Sequence, residues 1–222
     1  MILNGLIFAD RGEISLAEAL QFAAPSALVG AAFFFNGLGG TLAVIVAERE
    51  QRTLRRLLIS PMPGAGYFLG ICLAQGTIAV GQTLVVMLIS RGLGAVMAGS
   101  WGLLVVLLGF CLISYVGAGL LLGTYLAQRA DDVNTVIASF GIPLLILGGA
   151  FFPSSIFPPS LQAVANLNPI YHMVEAVTGV WADGLSWVDI ADHGYWLLGV
   201  AVVLGLSGVF AYQQLLVRER RY

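Results

Sequence analysis

Long apolar runs, separated by short charged or proline-rich stretches, set the plan of this chain. Five runs are long enough to cross a bilayer as helices, at about 22–47, 67–90, 101–127, 134–152 and 194–217; a span needs about 20 apolar residues. Pro143 falls inside the fourth run and predicts a kink there, because its ring removes an internal hydrogen bond. Between the first and second runs, residues 48–66 carry Glu48, Arg49, Glu50, Arg52, Arg55 and Arg56 and then the turn Ser60-Pro61-Met62-Pro63. On a helix, Glu48 with Arg52 and Gln51 with Arg55 are i,i+4 neighbours. Two readings stand for this stretch: a charge signal at the end of a span, or a compact charged knob that docks a soluble partner. The mixture of both signs at helical spacing favours docking.

Residues 153–193 break the pattern differently. Phe151-Phe152-Pro153 leads into Pro158-Pro159, an apolar stretch at 161–167, the turn Asn168-Pro169 and a helix-prone run at 170–181. Four prolines preclude one continuous helix, so short helices that dip back towards the bilayer and re-emerge are expected. Irregular backbone at that depth is tolerated only where protein or a wet cavity covers it.

Composition narrows the class. Of 222 residues, 59% are hydrophobic and 10% charged, with mean hydropathy +0.92; soluble domains carry about 25% charged residues. The expected fold class is an all-α polytopic membrane protein. No basic region suggests nucleic acid. Cys72 and Cys111 lie far apart in apolar runs and read as inert buried thiols. Every basic residue is arginine, and four of the ten lie between the first two spans. Placing 48–66, 128–133 and the tail 218–222 inside puts eight arginines and five acids there (+3), and leaves two arginines and seven acids outside (−5). That bias obeys the positive-inside tendency and predicts a cytoplasmic C-terminus. Residues 1–21 then form an external segment. Since Met1–Ala9 is too short to span and lacks a basic start, either this tail translocates unaided or an upstream span is missing; the second is the expectation.

Polar residues within the spans are few. Asn36, Gln75 and Gln82 are candidates for lining a path or for bonding neighbouring helices, with Phe151 and Phe152 offering aromatic surface; both roles stay open. No charge sits at the middle of a span, which argues against ion-coupled transport. Gly66-x-x-x-Gly70 and Gly119-x-x-x-Gly123 read as packing sites. His172, Glu175 and His193 fit no zinc signature, and interfacial histidines with ordinary hydrogen bonds are expected. No metal site is expected. Trp181, Trp187, Tyr195 and Trp196 mark an outer aromatic belt.

Two segments resemble the permeases of type-2 ATP-binding-cassette transporters, a family that includes bacterial drug, polysaccharide and lipid exporters. ERE-QRTLRRLL-ISPMP is similar to the family's E-R-x-x-G-T-L-x-x-L-x-x-S-P loop, and LLILGGAFFPSSIFPPSLQAVANLNPIYHMVEAV to its apolar-Gly-x-x-Phe-Pro, Leu-Pro, Leu-Asn-Pro progression before the last span. Arg52 departs from the family's glycine, and the family's usual first of six spans is absent. The resemblance implies that Glu48, Arg49, Glu50, Arg52, Thr53, Leu54, Arg55, Arg56, Leu57, Ser60 and Pro61 belong to a cytoplasmic coupling helix that fits an ATPase subunit. It also implies that Pro153, Pro158, Pro159, Asn168 and Pro169 belong to an outer re-entrant segment. The sequence has no G-x-x-x-x-G-K-[ST] loop, so ATP and Mg are expected in a separate ATPase chain and no cofactor on this one.

The resemblance further implies a bacterial inner-membrane exporter of an amphipathic or hydrophobic substrate, such as a drug, a lipid or a glycan-lipid. It would work among membrane lipids with a second permease copy, as a homodimer or beside a related permease. The rivals are a non-transporting scaffold that recruits a partner through 48–63, and an intramembrane enzyme, for which no catalytic constellation is evident.

Overall fold

The structure is a computed structural model that describes residues 15–51, 53 and 63–219. Among these residues it is wholly helical, with five helices long and apolar enough to cross a membrane. We number the helices in chain order: α1 (Leu16–Glu50), α2 (Gly64–Gly92), α3 (Trp101–Tyr125), α4 (Ala130–Leu147), the short α5 (Pro159–Ala165), α6 (Pro169–Ala182) and α7 (Ala191–Glu219).

Helix α1 begins at Leu16, earlier than hydropathy alone places it, because Ser15 caps it. The Ser15 hydroxyl accepts from the Glu18 amide at 3.2 Å while a Glu18 carboxylate oxygen takes the Ser15 amide at 2.8 Å, a reciprocal capping box. The helix widens to π geometry over Leu28–Gly40 and returns to α geometry for Thr41–Glu50. Its charged end therefore continues the span: Glu48, Arg49 and Glu50 occupy the last turn of α1. In α4, Pro143 stands in the first turn after a π-helical stretch at Ile137–Gly141, so its missing N–H falls where the ladder is already irregular. Gly149, at φ 78°, then turns the chain out of α4 in a conformation that favours glycine.

Helix α7 packs most extensively on α3, which also carries α1 on another face. Small residues permit both approaches. A Cβ at Gly117 would meet the Leu204 backbone, and one at Gly119 would lie 2.7 Å from the Leu38 carbonyl and 2.8 Å from Thr41 Cβ. Gly123 fits against Ile45 in the same way, so Gly119-x-x-x-Gly123 is a contact between α3 and α1. Gly70 has open space around it and makes no such contact.

The largest core among the described residues lies at the end of the bundle away from Glu50 and Gly64. There Val174, Val177, Val180 and Trp181 of α6 pack among Leu28, Phe34, Leu104 and Leu107 of α1 and α3. Helix α2, by contrast, leaves Leu69, Leu73, Val80, Leu84 and Leu88 exposed. Contiguous apolar surface of this kind is unfavourable in water and suits lipid. The protein is a multi-span membrane protein.

Candidate functional site

At the end of the bundle where α1 ends and α2 begins, three consecutive charged residues of α1 each reach a different neighbour. The Tyr67 hydroxyl of α2 donates to Glu48 Oε2 at 2.6 Å. Arg49 Nη1 donates to the Ala127 carbonyl at 2.8 Å, and Nη2 to the Gly123 carbonyl at 3.0 Å. Glu50 Oε1 accepts from the Ala130 amide at 3.0 Å, at the first residue of α4. The last turn of one span thus ties the start of the second, the end of the third and the start of the fourth.

Helix electrostatics explain why this order of charges works. The last carbonyls of α3 lack intrahelical donors and sit at the negative end of its dipole, which suits a guanidinium fork. The first amides of α4 are donors without partners at a positive end, which suits the Glu50 carboxylate. Asp132 adds to the same terminus by accepting from the Gln128 and Arg129 amides, both at 2.8 Å. The fifth span joins through an aromatic contact. Tyr67 stacks on Tyr212 of α7 with ring centroids 3.9 Å apart and planes within 2°. Ile71, Val116, Leu120 and Leu215 close the apolar core around that pair.

Thr53 finishes the end of α1. Its amide and its hydroxyl both donate to the Glu48 carbonyl, at 3.0 and 3.1 Å, which turns the chain as it leaves the helix. The remaining residues expected in the docking segment (Arg52, Leu54, Arg55, Arg56, Leu57, Ser60 and Pro61) lie outside the described residues, and with them the expected Glu48–Arg52 and Gln51–Arg55 pairs. Tyr67, Tyr212 and the α3 carbonyls were not among the candidate residues. The available signal was a tyrosine just inside each of two apolar runs, at the end that meets the charged segment.

The candidate path residues separate into two places. Asn36 Nδ2 donates to the backbone carbonyl of Gln75 at 2.9 Å, which joins α1 to α2. The Gln75 side chain is buried over Gly40, where any Cβ would come within 2.8 Å of its Nε2. Gln75 Oε1 and Gln82 Oε1 are buried without a hydrogen-bond partner. Phe151 packs instead on the core at the far end of the bundle.

The proline-rich segment is tied down by Asn168. Its Oδ1 accepts from the Ile170 amide at 3.0 Å and caps α6, with Pro169 in the first turn. Its Nδ2 donates to the Leu144 carbonyl of α4 at 2.6 Å. Pro153 precedes a single 3-10 turn at Ser154–Ile156, while Pro158 and Pro159 open α5. Helix α6 is closed at its other end by the Gln21 side chain of α1, which donates to the Ala182 carbonyl at 3.0 Å. In the turn before α7, the Ser186 hydroxyl and amide donate to Asp189 and hold its carboxyl below the usual range.

The profile of the ABC-2 type transporter family matches residues 1–181. The chain belongs to that family. It is 29% identical over 178 residues to the inner membrane transport permease YadH of Escherichia coli K12, across 78% of this chain and 67% of that protein. The YadH permease of Shigella flexneri matches to the same extent. It is also 29% identical over 171 residues to the probable multidrug ABC transporter permease YbhR of Escherichia coli K12, across 76% of this chain and 45% of that protein. Membership in the ABC-2 family makes the chain a membrane transport subunit, and the matched region contains α1 to α6, including the knot at Glu48, Arg49 and Glu50.

Proposed function

We propose that this ABC-2 permease moves an amphipathic or hydrophobic substrate across the bacterial inner membrane, driven by a separate ATPase subunit. The ATPase docks on the segment Glu48–Pro61, which faces the cytoplasm together with the C-terminal tail. ATP and Mg bind in that partner, and a second permease copy completes the translocation path. The re-entrant segment at 153–193 lies on the outer side.

One observation carries this reading. The segment is anchored at its root by a helical turn whose hydrogen bonds reach α2, α3 and α4, and through Tyr67 and Tyr212 also α7. A push on the segment therefore reaches every span at once, as a mechanically driven transporter requires. A scaffold that only recruits a partner needs the charged surface but not this linkage. The relatives' names support transport, and the probable multidrug assignment of YbhR supports an amphipathic substrate.

The test is co-purification of the tagged permease in mild detergent, with wild type compared to Arg55→Glu/Arg56→Glu. Wild type should bring down a stoichiometric protein that carries a phosphate-binding loop, and the double variant should lose it while still inserting in the membrane. Undiminished binding by a well-inserted double variant overturns the docking assignment.

A further inference from the structure

His172 of α6 and His193 of α7 face each other with their Nδ1 atoms 2.9 Å apart. On its other side, His172 Nε2 lies 2.9 Å from the Asn166 carbonyl. A carbonyl only accepts, so His172 Nε2 must carry a proton. In the neutral ring, Nδ1 is then an acceptor, and His193 Nδ1 must be the donor. A directed chain results, from His193 through His172 to Asn166. It joins the last span to the start of α6 and to the end of α5.

This arrangement treats two added protons differently. The first enters at His193 Nε2 and leaves the donor at Nδ1 in place, so the chain survives. The second can only enter at His172 Nδ1, the acceptor of the pair. Two N–H groups and two positive charges then meet across 2.9 Å.

The surroundings on each packed element bear this out. His172 stacks on Trp196 of α7, with ring centroids 4.5 Å apart and planes 12° apart. The groups acting electrostatically on His193 are the His172 ring and the Glu175 carboxylate of α6, which oppose each other, and the Asp192 carboxylate of α7. Glu175 is held by the Ser154 hydroxyl at 2.8 Å, from the 3-10 turn. Tyr171 packs edge-on to both imidazoles, and burial together with the Glu175 carboxylate pushes its phenol up, so it stays neutral.

We propose that His172 and His193 form a proton-operated latch that holds the α5–α6 segment against the last span and opens when both rings are charged. The latch borders an apolar groove of about 470 Å³ lined by Pro169, Tyr195, Trp196, Gly199, Val203 and Leu204. Pro169 begins the helix that the latch holds, and Trp196 belongs to both groove and latch. Opening the latch therefore changes the width of the groove, and acid on that face of the membrane sets how far the segment closes. The latch does not depend on ATPase docking.

The experiment is hydrogen-exchange mass spectrometry on the full chain in lipid nanodiscs, followed from about pH 8 to about pH 5, the range in which imidazoles titrate. Exchange is corrected for its intrinsic pH dependence. Peptides covering 161–178 should exchange roughly fivefold to tenfold faster at the acid end, the ratio that loss of one hydrogen bond gives. Peptides from the middle of α3 should not change. In His193→Gln the amide still donates to His172 and one titrating ring remains, so the acid response should become shallower. In His172→Gln/His193→Gln it should vanish. Protection in wild type that is unchanged with pH, or an acid response that persists in the double variant, overturns the latch. The wild-type scan stands alone if a variant fails to fold.

Discussion

Tyr67 and Glu48 share a 2.6 Å hydrogen bond, and the same Tyr67 ring lies flat against Tyr212. One side chain therefore links the first span to the second by its hydroxyl and the second to the last by its face. Removing the oxygen separates the two roles. In Tyr67→Phe the stack remains and Glu48 loses its donor, with an expected cost of about 1–3 kcal/mol for a partly buried bond to a charged acceptor. Thermal unfolding in detergent should register that loss. If the knot transmits motion, substrate-stimulated ATP hydrolysis by the purified permease–ATPase complex should fall further than complex formation does. Full stimulation in Tyr67→Phe would show that the bond is structural only.

Arg49 is the member of the triplet for which geometry matters most. Its two nitrogens reach the Ala127 carbonyl just past α3 and the Gly123 carbonyl in its last turn, at 2.8 and 3.0 Å. A lysine keeps the charge but offers a single ammonium point, so Arg49→Lys should restore only part of what Arg49→Ala loses. The alanine variant is expected to cost about 1–3 kcal/mol. The check is the order of midpoints in a thermal series: wild type highest, lysine between, alanine lowest. Equal midpoints for lysine and wild type would reduce the contact to simple charge balance.

The spans and the charged segment were legible because both rest on local signals, namely apolar run length and the change to alternating charge after Ala47. The Asn168-Pro169 turn was legible for the same reason, since a side-chain cap followed by proline is a short-range pattern. The destinations of the charges were not. The described partner of Glu48 is Tyr67, and that of Glu50 is a backbone amide at Ala130, and spacing along one helix indicates neither. Backbone amides and carbonyls carry no sequence signature, and the separation of 80 residues depends on how α3 and α4 return to the same end of the bundle. The π-helical part of α1 was hidden too. A run that is apolar on all sides carries no alternation from which any helical period could be read.

Asn168 performs two tasks that different substitutions distinguish. Asn168→Asp keeps the cap on Ile170 but has no N–H to give the Leu144 carbonyl, and it brings a carboxylate close to that oxygen. Asn168→Ser keeps a shorter cap without the reach to α4. Both should destabilise, the serine by about 1 kcal/mol or more and the aspartate further, because it adds repulsion to the lost bond. Proteolytic susceptibility of the 148–170 region should follow the same order. An aspartate variant as resistant as wild type would assign the whole effect to capping.

Close contact between α3 and α1 gives the sharpest test of the packing. Gly119 has no room for a side chain, with the Leu38 carbonyl and Thr41 Cβ already within 2.8 Å of where a Cβ would sit. Gly109, ten residues earlier on the same helix, has nothing within 4 Å of that position. The two glycines share a helix and a membrane, so substituting either changes intrinsic propensity alike and only the packing differs. Gly119→Val should cost about 1–3 kcal/mol through forced separation of the helices. Gly109→Val should be close to neutral, or should stabilise the helix slightly. Because the displaced α1 carries Glu48, Arg49 and Glu50, the Gly119 variant should also weaken the knot, so that adding Arg49→Ala to it costs less than it does in wild type. A double-mutant cycle on thermal stability measures that difference, and strict additivity would show that the packing site and the knot hold independently.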